Sequence, residues 1–80
     1  MSEVADQLDK VVRGLVDDGD AVVIEEDDLG GTIALSVSVA PDELGRVIGR
    51  QGRTVRALRA LLEVRGAESD TYYDLEVVES

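Results

Sequence analysis

From Thr32 to Ala40 the chain alternates without a break, with Ile33, Leu35, Val37 and Val39 on one side and Thr32, Ala34, Ser36, Ser38 and Ala40 on the other. Successive side chains of a strand point to opposite faces, so this pattern describes a strand buried on one side only. A sheet built around it needs helices on that side and leaves the other open. The flanking sequence supplies them. Val4, Leu8, Val11, Val12, Leu15 and Val16 recur at helical spacing among Asp6, Asp9, Lys10 and Arg13, which predicts an amphipathic helix over residues 3–17. Asp17-Asp18-Gly19-Asp20 ends it, with Gly19 suited to a left-handed cap. Ala21-Val22-Val23-Ile24-Glu25 reads as a short strand, and Glu26-Asp27-Asp28-Leu29-Gly30-Gly31 as an acidic turn that reverses the chain.

Pro41-Asp42-Glu43 is a favourable helix opening, because carboxylates suit the positive first turn and the N–H that proline lacks is not needed there. A short helix over 42–48 is expected. After Gly49-Arg50-Gln51-Gly52, the spacing of Val55, Leu58, Leu61 and Leu62 predicts a further helix to Arg65, with Gly66 as its stop. Tyr73, Leu75 and Val77 alternate with polar neighbours in a last strand over 72–78, so of Tyr72 and Tyr73 one faces the core and the other solvent or a partner. The expected fold class is α+β, in the order helix, strand, strand, helix, helix, strand, with a three-stranded sheet covered on one face by helices. At 80 residues the chain has room for one such domain, 1–80.

Composition narrows the chemistry. The sequence has no Cys and no His, which removes disulfides, thiolate nucleophiles, imidazole bases and nearly all zinc chemistry. Glu25-Glu26-Asp27-Asp28 lacks the glycine-punctuated spacing and terminal glutamate of a calcium loop and reads as a solvated turn. Paired carboxylates do acid-base work only in a cleft that shifts their pKa values, and a domain of this size encloses little volume, so no catalysis, metal or cofactor is expected. No apolar run reaches the roughly 18 residues of a membrane span, and a cytoplasmic location is the default expectation.

Net charge alone argues against a nucleic-acid partner, since 18 acidic residues against 8 basic ones leave −10. Position reverses that reading. From Leu44 to Leu62 the chain carries five arginines (Arg46, Arg50, Arg53, Arg56 and Arg59) and no acid, so this stretch is +5 and the rest −15. Charges screen one another over roughly 8 Å at physiological salt, so a local arginine patch acts on a phosphate without feeling every distant carboxylate.

Within that stretch, Leu44-Gly45-Arg46-Val47-Ile48-Gly49-Arg50-Gln51-Gly52-Arg53-Thr54-Val55 places a two-residue polar turn, bracketed by glycines, between consecutive helices. Glycine lets the main chain take unusual dihedrals and lets an anionic backbone approach closely. The start of the following helix offers N–H groups, and Arg50 and Arg53 can add charge-assisted hydrogen bonds to phosphate. Val47, Ile48 and Val55 would form an apolar floor where bases lie. The glycines do not follow the dinucleotide fingerprint, which needs Gly-x-Gly-x-x-Gly directly after a strand, or the P-loop, which ends in Gly-Lys-Ser/Thr. Taken alone, Gly-x-x-Gly also occurs in ordinary helix-to-helix turns, and Arg59 reads equally well as part of a solvated face.

The run Val47-Ile48-Gly49-Arg50-Gln51-Gly52-Arg53-Thr54-Val55 resembles the signature of KH domains, an Ile-Gly-x-x-Gly loop followed by a helix. With a helix and strand ahead of the core motif over about 32–79, the order of elements is similar to the bacterial type II arrangement, and the whole chain is similar to small stand-alone KhpA-like RNA-binding proteins. The resemblance implies single-stranded RNA as ligand, held at Arg46, Val47, Ile48, Gly49, Arg50, Gln51, Gly52, Arg53, Val55 and Arg56. It also implies a role in post-transcriptional regulation or RNA chaperoning linked to cell shape and division. Pairing with a second copy or with a larger KhpB/Jag-like KH protein is implied as well. Two departures lower the expected affinity and raise its salt sensitivity: Lys10 is the only lysine, and Gly66-Ala67-Glu68-Ser69-Asp70-Thr71 is acidic. The competing expectation is a protein-interaction module of the same fold in which RNA contact has weakened.

Overall fold

The computed structural model describes residues 2–80. Helix α1 (Glu3–Leu15) is followed by strand β1 (Val23–Asp28), strand β2 (Thr32–Val39), helix α2 (Leu44–Ile48), helix α3 (Arg53–Ser69) and strand β3 (Tyr72–Glu79). Short 3-10 turns precede β1, α2 and α3. The sheet order is β1-β2-β3, with β1 antiparallel to β2 and β3 parallel to it. A parallel neighbour requires a long crossover, and α2 and α3 provide it. This is the expected type II arrangement, with three helices on one face of a three-stranded sheet.

The alternation in β2 sets the layers. Leu35, Val37 and Val39 are buried with Val47, Val55, Leu58 and Leu62 from the helices beyond the loop and with Val4, Ala5, Leu8 and Val12 from α1. Leu75 completes this core from β3, where Tyr73 packs against it and Tyr72 is exposed, as the alternation requires. The sheet's other face is uncovered. Across it, Glu25 lies beside Ser36 and Ser36 beside Glu76, while Asp27 lies beside Ala34 and Ala34 beside Asp74. Two small central residues are thus flanked by four exposed carboxylates.

Helix α1 begins where Ser2 caps it, its Oγ accepting from the Ala5 N–H at 3.1 Å. It ends at Leu15, two residues earlier than expected, because Val16 turns extended. Gly19 sits in a 3-10 turn and not in a left-handed cap. The amides just past the helix find a different partner: the Glu43 carboxylate accepts from the Asp17 and Asp18 N–H groups, the latter at 2.8 Å.

Two boundaries need correction. The acidic segment Glu26-Asp27-Asp28 is not turn but the second half of β1, paired with Leu35, Ala34 and Ile33. Glu25 and Asp27 point to solvent while Glu26 faces α1 and accepts the Ser2 N–H at 3.0 Å. The reversal is confined to Leu29-Gly30-Gly31, closed by the Leu29 N–H on the Thr32 carbonyl at 2.8 Å. Gly66 does not stop α3 either. The helix continues to Ser69 and is capped by Asp70 at a left-handed φ of 54°. Gly66 is buried, and a Cβ there would run into the Thr71 carbonyl and approach the Tyr73 ring to 3.4 Å. Its lack of a side chain serves the close return of the chain into β3.

Candidate functional site

Helix α2 ends on Gly49, whose N–H donates to the Gly45 carbonyl at 2.8 Å and whose φ of 78° and ψ of 167° suit only glycine. A Cβ at Gly49 would collide with the Thr54 side chain and lie 2.8 Å from the Thr54 nitrogen. The chain then turns through Gln51, left-handed at φ 56°, and Gly52, left-handed at φ 75°, before entering α3. Gly52 has more room, for a Cβ there would meet only Val55 Cγ1 at 3.9 Å. The two glycines of the loop therefore do different things: Gly49 allows the close approach of α3, and Gly52 allows the turn.

The loop closes on itself. The Gly52 N–H donates to the Gly49 carbonyl at 3.0 Å and the Arg53 N–H to the Arg50 carbonyl. Arg56, one turn into α3, donates from its guanidinium to the Gln51 carbonyl at 3.0 Å and so braces the left-handed residue. Two of the amides expected to face a phosphate are thus spent within the turn.

The five arginines of the acid-free segment separate into three kinds. Arg46 on α2 is held by carboxylates, 3.0 Å from Asp17 and 3.7 Å from Glu43. Arg56 and Arg59 bond to main-chain carbonyls, Arg59 reaching the Leu75 carbonyl of β3 at 3.2 Å. Arg50 and Arg53 pair with no carboxylate among the described residues and are exposed beside the loop. Arg65, outside the segment, ties α3 to α1 through Glu3 and Gln7.

Of the expected apolar floor, Val47 has no exposed surface and Val55 is 8% exposed, so both belong to the core beneath the loop. Val47 underlies the loop from the core, and of the three it is the most deeply buried. Ile48 is half-buried and remains at the surface beside Gly49. Glu43, which sequence reasoning treated only as a helix opener, is 5% exposed and joins the loop after α1 to the start of α2. Its signal was faint, an acid at a position where first-turn acids are ordinary.

Four carboxylates of the open sheet face lie on the layer opposite the helices that carry the loop, while others, among them Asp17, Asp42, Glu63 and Glu68, lie on the helical side. A second surface feature lies between α1 and α3, where Val11, Leu61 and Val64 are exposed over a floor of Val4, Leu8, Leu58 and Leu62. Periodicity had assigned Val11 and Leu61 to the core faces of their helices. No helix among the described residues is long and apolar enough to cross a membrane.

The sequence matches the family model described as KhpA/KhpB, KH domain, over residues 5–77. It is 38% identical over 79 residues to the RNA-binding protein KhpA of Aquifex aeolicus, covering 99% of this chain and 100% of that one. It is 36% identical over 69 residues to the protein of that name from Listeria monocytogenes, covering 86% and 91%. With the RNA-binding protein KhpA of Streptomyces coelicolor the identity is 46% over 59 residues, covering 74% and 75%. The matched span runs from α1 to β3 and contains the whole helix-loop-helix segment, and the chain belongs to the KhpA/KhpB family of KH domains.

Proposed function

We propose that the chain binds single-stranded RNA, with the strand's backbone held at Gly49-Arg50-Gln51-Gly52. The observation that carries this reading is the pair Arg50, within a glycine-made turn, and Arg53, just after it, which engage no carboxylate among the described residues while the other arginines are largely committed. A guanidinium offers phosphate a planar, permanently charged donor set. Relatives named RNA-binding proteins support the same ligand. KH loops of this kind clamp about four nucleotides of backbone. Arg50, Gln51 and Arg53 would contact the strand, Gly49 and Gly52 would permit its approach, and Ile48 would meet a base. Arg46 adds positive charge at the edge of the site. Val47 and Val55 support the loop from the core, and Arg56 holds its conformation. Binding of this kind serves post-transcriptional regulation or RNA chaperoning in the cytoplasm and requires no catalysis.

A second reading, association with another KH chain, is favoured by the exposed Val11, Leu61 and Val64. Three neighbouring apolar side chains beside a groove form a surface that a second copy, or a larger KhpB/Jag-like protein, would cover. The two readings are compatible, because this patch and the loop lie on different parts of the helical layer.

The test is a titration of short fluorescent single-stranded RNAs at low and physiological salt with the native protein and with an Arg50→Asp, Gln51→Asp double variant. The loop is exposed, so the variant keeps the fold. Binding that weakens with salt and is lost in the variant is the expected result. Equal affinity of the two proteins would refute the loop as the RNA grip, and no binding at low salt would leave association as the function.

A further inference from the structure

We infer that Arg59 is a base-reading residue that makes the site prefer guanine over adenine, an inference that rests on the RNA-binding reading above. β3 is an edge strand, bonded to β2 on one side only. At its two ends the Tyr72 N–H donates to the Gly31 carbonyl and the Ser80 N–H to the Val39 carbonyl, so the even-numbered residues turn their main chain toward β2. In a parallel ladder the alternate residues then face outward, and Tyr73, Leu75 and Val77 present their N–H and C=O groups along the free edge. Both α2 and α3 pack against this strand. The free edge therefore lies beside the two helices that carry the Gly49–Gly52 loop, and Arg59 stands at it, its guanidinium on the Leu75 carbonyl at 3.2 Å.

Arg53, Arg56 and Arg59 recur every third residue of α3 and lead from the loop to that edge. Six residues of helix cover about 9 Å, so a strand clamped at the loop brings a base to Arg59 within the stretch of about four nucleotides that such a loop holds. A guanidinium has five N–H donors and no acceptor. One N–H is spent on Leu75, which fixes the plane of the fork, and others remain to donate. Guanine offers two acceptors side by side, O6 and N7, whereas adenine sets an amino donor beside its N7. A fork that only donates and is anchored on the strand edge therefore accepts guanine and leaves the adenine amino group facing donors.

The experiment measures affinities of fluorescent UUGUU, UUAUU and UUUUU pentamers for the native protein, Arg59→Ala and Arg59→Lys, with far-UV circular dichroism to confirm folding. The native protein is expected to bind UUGUU about ten-fold tighter than UUAUU, the scale of one good two-pronged base contact. Both variants are expected to bring that ratio to about one. Arg59→Lys keeps the charge and loses the fork, so it should lose more affinity for UUGUU than for UUUUU. A native ratio near one, a ratio that survives in Arg59→Lys, or an equal loss of affinity for all three RNAs in that variant would each overturn the assignment. Failure of the native protein to bind any of the three pentamers would overturn the RNA-binding reading itself, and this inference with it.

Discussion

Replacing Gly49 by alanine tests how the loop is built. At φ 78° and ψ 167° the residue occupies a region in which a side chain costs about 1–3 kcal/mol. The added Cβ would also press on Thr54, with the Thr54 nitrogen 2.8 Å away, and backbone cannot swing aside as a side-chain tip can. The two effects together amount to about 2–4 kcal/mol. In a domain of this size each kcal/mol moves the midpoint of thermal unfolding by about 4–8 °C, so Gly49→Ala should lower it by roughly 8–32 °C. Gly52→Ala is the internal control. Its φ of 75° and ψ of 16° are left-handed helical, which costs about 1–2 kcal/mol, and the nearest atom to its Cβ would be Val55 Cγ1 at 3.9 Å. Thermal unfolding followed by far-UV circular dichroism on both variants gives the comparison. A Gly52→Ala shift equal to or larger than that of Gly49→Ala would show that the Thr54 contact does not govern the turn.

Leu35→Ala empties the middle of β2 at a side chain only 1% exposed and should cost about 2–5 kcal/mol in urea unfolding, with little change in m-value. Glu43→Ala strands the Asp17 and Asp18 amides, which should cost about 1–3 kcal/mol, while Glu43→Gln keeps one acceptor and should lose less. For RNA, two unengaged arginines predict a slope of log affinity against log salt of about −1.4, and Arg53→Ala should reduce its size by about 0.7.

Those elements whose pattern is local were legible in the sequence. The strict alternation of β2 located the core, and the helix-loop-helix around Gly49–Gly52 announced itself through glycine spacing and the placement of arginines. What stayed hidden depends on partners remote in the chain. Glu26, Asp27 and Asp28 look like a turn by composition, yet β2 supplies the hydrogen bonds that make them strand. Gly66 resembles a helix stop, whereas its real constraint is the Thr71 carbonyl pressed against it. Val47 falls within the signature, but the packing of α2 onto the sheet puts it under the loop. Periodicity likewise told which residues of α1 and α3 share a face and not that this face is wider than the sheet it covers, which leaves Val11 and Leu61 uncovered. No pattern in the chain marks Arg46 as ion-paired and Arg50 as free; only the position of Asp17 decides it.

The carboxylates arrayed across the uncovered sheet have a consequence for how the molecule meets a polyanion. With Glu25, Asp27, Asp74 and Glu76 on one layer and the unpaired Arg50 and Arg53 on the other, the two faces of the domain differ in what they offer a polyanion. A negatively charged strand turns the domain as the two approach, presenting the arginine end first and lowering the number of unproductive encounters. Once one strand is seated, the far layer repels any other. A domain that gripped one strand at its arginines would thus turn a repelling face to a second.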